Sequence, residues 1–164
     1  MIPVISFVGR SGAGKTTYLE KIIAEMKRRG FRIGVIKHDS HGFEIDHEGK
    51  DTWRHAKAGA DVVCIASKEK FAMIKHTSRE MTLDEVIARI EDVDILFVEG
   101  YRNQGHRLIE IFRRDGTTSP LGNPSELFAV VSDITVYPSV PHFDLNDPVS
   151  LADELEKELR AQCL

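Results

Sequence analysis

The sequence is short of several features that mark particular classes of protein. It has two cysteines in 164 residues, Cys64 and Cys163. These are too few for the disulfide framework of a small secreted domain or for a zinc site built on thiolates. No apolar run approaches the ~20 residues of a membrane-spanning helix, and the amino-terminal residues predict a strand rather than a signal peptide. We therefore expect a reduced, cytoplasmic location with no membrane contact, and we expect Cys64 to be a small core residue.

An excess of positive charge is also missing. The chain carries 22 Lys and Arg residues against 26 Asp and Glu residues, which gives a net charge of −4. A protein that binds duplex nucleic acid matches many phosphates with basic side chains. The balance therefore predicts no duplex nucleic-acid partner, although it allows a local basic pocket for a phosphorylated small molecule.

Apolar runs of strand length alternate with helical patterns along the chain. Predicted strands cover residues 2–8, 31–37, 61–66, 71–76, 94–98, 107–113 and 127–131. Predicted helices cover 15–29, 51–58, 82–90 and a last segment that begins at Asp147-Pro148. This order predicts an α/β fold with a mostly parallel sheet flanked by helices, and a small β extension after the second strand. We expect one domain over residues 1–164.

The first predicted strand leads into a glycine-rich loop, GRSGAGKTT. Its residues match G-x-x-x-x-G-K-[ST], the pattern of a P-loop NTPase-like domain, at every fixed position. Glycines let successive N–H groups point at phosphate oxygens, and the helix that follows adds partial positive charge. Lys15 is expected to act on the β- and γ-phosphates, and the Thr16 hydroxyl to bind Mg²⁺. The predicted nucleotide-binding residues of this loop are Gly9, Arg10, Ser11, Gly12, Ala13, Gly14, Lys15, Thr16 and Thr17.

A phosphate loop needs a carboxylate that faces the metal from the end of a neighbouring buried strand. The segment DILFVEGYR offers Asp94 at its start and Glu99 at its end. Ligands of parallel sheets gather at the carboxyl ends of the strands, so Glu99 is favoured for a catalytic and metal-binding role. The loop after the second strand begins with Lys37, which is placed to meet a phosphate, and continues to Asp39, a second candidate metal ligand. A polar surface loop is the alternative interpretation of that segment.

A further acid ends the strand pattern AVVSD. A carboxylate accepts two hydrogen bonds from the guanine edge that adenine does not offer, so Asp133 is a candidate for reading guanine. The alternative is a residue that opens the following turn. A basic cluster is compatible with an anionic ligand or with a solvated rim. Its members are Arg102, His106, Arg107, Arg113 and Arg114.

These segments together resemble one family, the MobB proteins of molybdopterin guanine dinucleotide biosynthesis. The resemblance rests on VGRSGAGKTT, VIKHDSHGFEIDHEGKDTWRHAKAGA, DILFVEGYR, IEIFR and AVVSD followed by FDLND, in that order. It implies a domain that binds GTP with Mg²⁺, hydrolyses it weakly and assists a molybdopterin guanylyltransferase-type protein in attaching GMP to molybdopterin. It also implies a homodimer whose interface is partly built by the segment after the second strand. Ser40 interrupts the histidine run of that segment, which argues against a metal held by its histidines.

A small-molecule kinase is the alternative function, because similar loops occur in kinases of this size. A kinase needs an acceptor pocket, a base and arginines that close over the transferring phosphate. The segment from Arg113 to Gly116 is a candidate lid, but no long helical insert accompanies it. The sequence offers no dedicated residue to position water, so we expect slow hydrolysis. Arg10 or an arginine of a second subunit is the hypothetical source of added positive charge.

Overall fold

A computed structural model describes residues 2–101, 106–116 and 119–162. Its contacts group the chain into two compact units. We call the first, Met1–His38 with Ile87–Leu164, the sheet unit, and the second, Asp39–Val86, the hairpin unit. The assignment of residues 1–164 to a single nucleotide-binding domain stays a prediction. Cys163 and Arg102 lie outside the described residues.

The elements alternate between strands and helices through most of the chain. In order they are β1 (Val4–Val8), α1 (Lys15–Arg28), β2 (Ile33–Lys37), α2 (Asp51–Lys57), β3 (Val62–Ala66), β4 (Phe71–Lys75), α3 (Leu83–Ile87), β5 (Ile95–Glu99), β6 (Arg107–Phe112), β7 (Leu127–Ser132), β8 (His142–Asp144) and α4 (Pro148–Gln162). Short 3₁₀ turns cover Arg114–Gly116 and Pro124–Glu126. Within the described chain, no helix has the length and apolar character needed to cross a membrane.

The sheet unit contains six strands in the order β2-β5-β1-β6-β7-β8, and every neighbouring pair is parallel. This confirms the predicted α/β fold. Strand β8 was not among the predicted strands, because three residues are too few to show a period of two. In this order β1 lies at the centre of the sheet, with β5 on one side and β6 on the other. The loop that follows β1 is therefore flanked by the carboxyl ends of those two strands.

One face of this sheet packs against α1 and α4. Alternate residues of β1, β5, β6 and β7 form the core with the apolar stripes of both helices, as the period of two for strands and 3.6 for helices requires. Phe7 and Phe97 meet edge to face, with ring centroids 5.4 Å apart. The predicted start of α4 is confirmed, since Asp147 Oδ1 accepts a hydrogen bond from the N–H of Val149 at 3.0 Å. This packing fixes the carboxyl edge of the sheet and the start of α1.

The hairpin unit pairs β3 with β4 antiparallel, which confirms the small β extension. The predicted capping box of α3 is present, because the N–H of Thr82 donates to Glu85 Oε2 at 2.9 Å and the N–H of Glu85 donates to Thr82 Oγ1 at 3.3 Å. The prediction for Cys64 was wrong. Cys64 is exposed, because it lies opposite Met73 on an apolar face of the hairpin that remains open to solvent.

Candidate functional site

The loop from Gly9 to Thr17 has a backbone that depends on glycine. Gly12 and Gly14 adopt φ values of 80° and 91°, in the left-handed region that other residues seldom enter. A methyl group on Gly9 would lie 2.4 Å from the carbonyl oxygen of Ile111 in β6. Close contact with the neighbouring strand therefore excludes any side chain at the start of the loop.

Lys15 lies folded over the mouth of this loop. Its Nζ donates hydrogen bonds to the carbonyl oxygens of Gly9, at 3.0 Å, and of Arg10, at 2.9 Å. Lys15 is also the first residue of α1, where the helix leaves N–H groups without helical acceptors. The ammonium group and these N–H groups together supply positive charge at one point, as an anion site needs.

On the β5 side of the loop lies a polar group that we call the Glu99 cluster, formed by Thr16, Lys37 and Glu99. Glu99 is only 6% exposed. Its Oε1 accepts a hydrogen bond from Lys37 Nζ at 2.9 Å, and both its oxygens lie 3.3 Å from Thr16 Oγ1. The ion pair with Lys37 offsets the cost of burying the carboxylate. A hydroxyl and a carboxylate side by side form the kind of oxygen donor set that Mg²⁺ prefers.

The sheet separates Glu99 from the other acid of its segment. Asp94 precedes β5 at the opposite, amino-terminal edge, where Arg32 Nη2 donates to its Oδ1 at 2.8 Å and the N–H of Arg32 to its Oδ2 at 2.7 Å. These hydrogen bonds from Arg32 lower the pKa of Asp94. Only Glu99 therefore faces the phosphate loop, as the direction of the strand predicts.

Asp39, the other candidate metal ligand, belongs to the hairpin unit. Its Oδ1 accepts a hydrogen bond from the N–H of His41 at 2.8 Å. Asp46 in the same loop accepts one from the hydroxyl of Thr52 at 3.0 Å. Both carboxylates thus organise their own loop, and the metal-binding role of Asp39 stays a prediction. Among residues 2–101, 106–116 and 119–162, no three His, Cys, Asp or Glu side chains come together as a metal site.

The β6 side of the loop carries arginine instead of acid. A methyl group built on Gly14 would lie 3.7 Å from Nη2 of Arg113, which places this guanidinium beside the last residue before α1. The next residue is also fixed, because the N–H of Arg114 donates to Asp133 Oδ1 at 3.0 Å. Asp133 therefore stabilises the turn after β6, a contact that was not predicted from the sequence, and its role in reading guanine stays a prediction.

Arg10 points away from the centre of the loop. Its Nε and Nη2 donate to the carbonyl oxygen and to Oγ of Ser119, each at 3.0 Å. A second contact of the same β6–β7 connection was not predicted from the sequence. Glu110, 1% exposed in β6, accepts hydrogen bonds from the N–H groups of Leu121, at 2.5 Å, and Gly122, at 3.1 Å. A lone acid in the apolar strand RLIEIF was the signal that could have found it.

Comparisons with known proteins show which family this chain resembles. The sequence profile of the family described as molybdopterin guanine dinucleotide synthesis protein B matches residues 4–133. The molybdopterin-guanine dinucleotide biosynthesis adapter protein of Escherichia coli K12 is 35% identical over 168 aligned positions, which cover 99% of this chain and 96% of that protein. The adapter protein of the same name from Haemophilus influenzae is 34% identical, with 96% and 90% covered.

Solved structures show the same fold. A crystal structure of molybdopterin-guanine biosynthesis protein B matches with a TM-score of 0.73 at 28% identity, covering 96% of this chain and 99% of that one. The crystal structure of Bacillus subtilis MobB has a TM-score of 0.73 at 24% identity, covering 96% and 98%. With a family profile that spans most of the sequence and relatives above 30% identity over nearly all of it, this chain belongs to the MobB family.

Proposed function

We propose that this protein is a GTP-binding, weakly GTP-hydrolysing adapter of molybdopterin guanine dinucleotide biosynthesis, which assists the attachment of GMP to molybdopterin. The observation that carries the proposal is the hydroxyl of Thr16 facing the buried carboxylate of Glu99 beside Lys15 and the glycine-rich loop. The names of the relatives supply the pathway. The protein partner is a molybdopterin guanylyltransferase-type protein, and molybdopterin is a second candidate ligand.

In the proposed complex the loop N–H groups surround the phosphates, and Lys15 exchanges its carbonyl acceptors for phosphate oxygens. Thr16 and Glu99 would hold Mg²⁺, which would supply positive charge to the phosphates when bound. Lys37 must then give up at least part of its contact with Glu99, since both cations use the same carboxylate. Lys37 is more than half exposed, so its ammonium group has room to turn toward a phosphate.

Slow hydrolysis follows from the partners of the charged groups. In the proposed complex Glu99 is assigned to the metal, and Arg10 is held by Ser119. Neither side chain is therefore oriented in this structure to position a water molecule or to stabilise the transferring phosphate. P-loop proteins without an arginine at the transferring phosphate turn over slowly until a partner supplies one. We accordingly expect the partner to complete the catalytic arrangement.

The hairpin unit supports the proposal of a homodimer. Phe71 and Met73 of β4 are each more than half exposed, and they share one face of the hairpin with the exposed Cys64 of β3. Exposed apolar side chains in a contiguous group mark a protein interface, and closed twofold symmetry is the commonest arrangement of identical subunits. We propose that a second copy covers this hairpin. The cytoplasm remains the proposed location.

Titration calorimetry with GTP and ATP, each with and without Mg²⁺, tests the nucleotide site. We expect GTP to bind more tightly than ATP, and Lys15→Ala to abolish binding without changing the melting temperature. The matched control is Lys27→Ala, which removes an exposed lysine near the other end of α1. Unchanged GTP affinity in Lys15→Ala would contradict the site. A preference for ATP with phosphorylation of a pterin or nucleoside would instead identify a kinase.

Asp133→Asn tests guanine recognition separately. Asparagine keeps an oxygen for the N–H of Arg114 but replaces the second carboxylate oxygen with a donor. We expect the preference for GTP over ITP, which lacks the guanine amino group, to fall in this variant. An unchanged GTP-to-ITP affinity ratio would leave Asp133 with its structural role alone.

A further inference from the structure

The phosphate loop has two chemically different sides. On the β5 side lies the Glu99 cluster, where the register pairs Lys37 with Glu99 directly and Thr16 faces the carboxylate. On the β6 side lies Arg113, the residue after Phe112. Because β1 runs between β5 and β6, the loop itself separates the acid from the arginine.

We propose that Arg113 binds the inner phosphates of the nucleotide, those nearest the nucleoside, and not the terminal phosphate. This inference rests on the proposed nucleotide-binding function. The loop N–H groups cradle the α- and β-phosphates, whereas the lysine and the metal act on the outer ones. The metal-binding side is the one that carries Glu99. The opposite side, where Arg113 lies beside Gly14, therefore faces the phosphates farther from the metal.

The chain holds Arg113 where this contact requires it. Phe112 is buried at the end of β6, and the N–H of Arg114 is fixed by Asp133, so both neighbours of Arg113 in the sequence are anchored. The guanidinium lies near Gly14, whose carbonyl oxygen accepts the N–H of Tyr18 at 2.9 Å and thus begins the hydrogen bonding of α1. A planar guanidinium at this point donates to two phosphate oxygens at once.

The position of Asp133 indicates the same orientation for the nucleotide, with its inner phosphates on the β6 side of the loop. Its carboxylate lies at the turn that begins with Arg114 and is the candidate reader of guanine. A base that reaches Asp133 places its sugar and α-phosphate on the β6 side of the loop. The alternative role for Arg113, a lid arginine of a kinase, would instead bring it to the transferring terminal phosphate. The two roles differ in their dependence on that phosphate.

Equilibrium binding of GTP and GDP to Arg113→Ala distinguishes these roles. Hydrogen bonds to charged groups contribute enough for a loss of about 10-fold or more, and we expect the same factor for GTP and GDP, with and without Mg²⁺. The matched control is Arg114→Ala, which removes the adjacent guanidinium and keeps the backbone contact with Asp133. It should leave both affinities within about twofold, the effect of an exposed side chain without such a contact. Arg113→Lys should recover part of the loss, because it keeps the charge without the fork.

Each other outcome overturns the inference in a recognisable way. A loss confined to GTP would move Arg113 to the terminal phosphate, and no loss in Arg113→Ala would remove it from the site. Equal losses in the Arg113→Ala and Arg114→Ala variants would indicate long-range charge instead of contact. Melting temperatures of all three variants separate a binding loss from unfolding. A wild-type protein that binds neither GTP nor GDP would refute the proposed function itself.

Discussion

The two compact units of this protein differ in how far they bury their apolar side chains. The sheet unit buries Phe7, Phe97 and the apolar stripes of α1 and α4 in one continuous core. The hairpin unit leaves Phe43 and Ile45 exposed by 74% and 71%, and much of β3 and β4 open. Each exposed aromatic or branched side chain forgoes roughly 1.5–3 kcal/mol of burial. The sheet unit therefore completes its own core, whereas the hairpin unit leaves apolar surface uncovered.

The proposed phosphate site and the proposed dimer surface lie in different units of the chain. Every described residue of the proposed phosphate site, from Gly9 to Thr17 with Glu99 and Arg113, belongs to the sheet unit. The apolar surface proposed for the second copy belongs to the hairpin unit. Variants can therefore be chosen to damage one task and leave the other intact.

The largest effect is expected from Phe71→Asp in β4. A charge buried without a partner in the proposed interface should weaken dimerisation by two orders of magnitude or more, about the cost of losing an interface hot spot. Sedimentation velocity across a concentration series measures this, and GTP affinity should stay unchanged. The control is Val149→Asp, an exposed apolar position of the sheet unit, which should remain dimeric. A wild type that is monomeric at all concentrations contradicts the proposed dimer.

A smaller effect is expected from Glu99→Gln, which acts only on the sheet unit. It removes the charge that we assign to the metal, so the gain in GTP affinity on adding Mg²⁺ should fall by about 10-fold, the size of one charge-assisted contact. Binding in Mg²⁺ and in EDTA gives the ratio. Asp94→Asn changes an acid at the opposite end of the same strand segment and should leave the ratio intact. Retention of the full Mg²⁺ effect in Glu99→Gln would exclude Glu99 as a ligand.

Thr82→Ala should weaken α3, all of which except Ile87 belongs to the hairpin unit. It removes the hydroxyl that caps α3, at a cost of about 1 kcal/mol. Hydrogen exchange should show faster opening of α3, with α1 and α4 unchanged. Ser78→Ala, at an exposed position earlier in the same segment, is the control. Equal protection of α3 in the Thr82→Ala variant and the wild type would mean that packing alone holds this helix.

The smallest effect is expected from lowering the pH, and it should appear as a difference in amide exchange between α3 and α1. Hydrogen bonds from Arg79 lower the pKa of Glu85 from 4.5 to about 2. The folded pKa lies below the unfolded one, so this contact stabilises fully above pH 4.5 and is lost as the pH falls toward 2. Glu25 in α1 has a similarly lowered pKa from Arg28 and Arg29, but α1 is also held by the core. Amide exchange between pH 4.5 and 2 should therefore loosen α3 before α1. Simultaneous loosening would show that the core does not protect α1.

Signals carried by neighbouring residues were sufficient to predict most of the fold. The loop GRSGAGKTT is specified by its own glycines, the capping box by Thr82 and Glu85, and the start of α4 by Asp147. The alternation of strands and helices then leaves little choice but a parallel sheet. Strand β8 was not predicted, because its three residues form a strand only through hydrogen bonds with β7.

Features that join distant residues could not be predicted in the same way. Lys37 meets Glu99 across 62 positions of sequence, and Glu110 holds Leu121 only because β6 brings the carboxylate under that connection. The error at Cys64 has a related cause. An apolar run such as VVCIA predicts burial of the whole strand, but only Val63 in it is buried, and Cys64 lies on the open face of the hairpin.

The central position of β1 governs when the proposed phosphate site can form during synthesis. Strand β1 is made first, yet its two neighbours are β5 and β6, so it gains its second neighbour only when residue 112 is available. Parallel pairing across such separations forms slowly, because the chain between the strands must first be ordered. The apolar strand β1 and the loop after it therefore leave the ribosome well before β5 and β6, the strands that hold them in place. We expect a nascent chain that stops short of β6 to be a target for chaperones, and the proposed phosphate site to form in one late step.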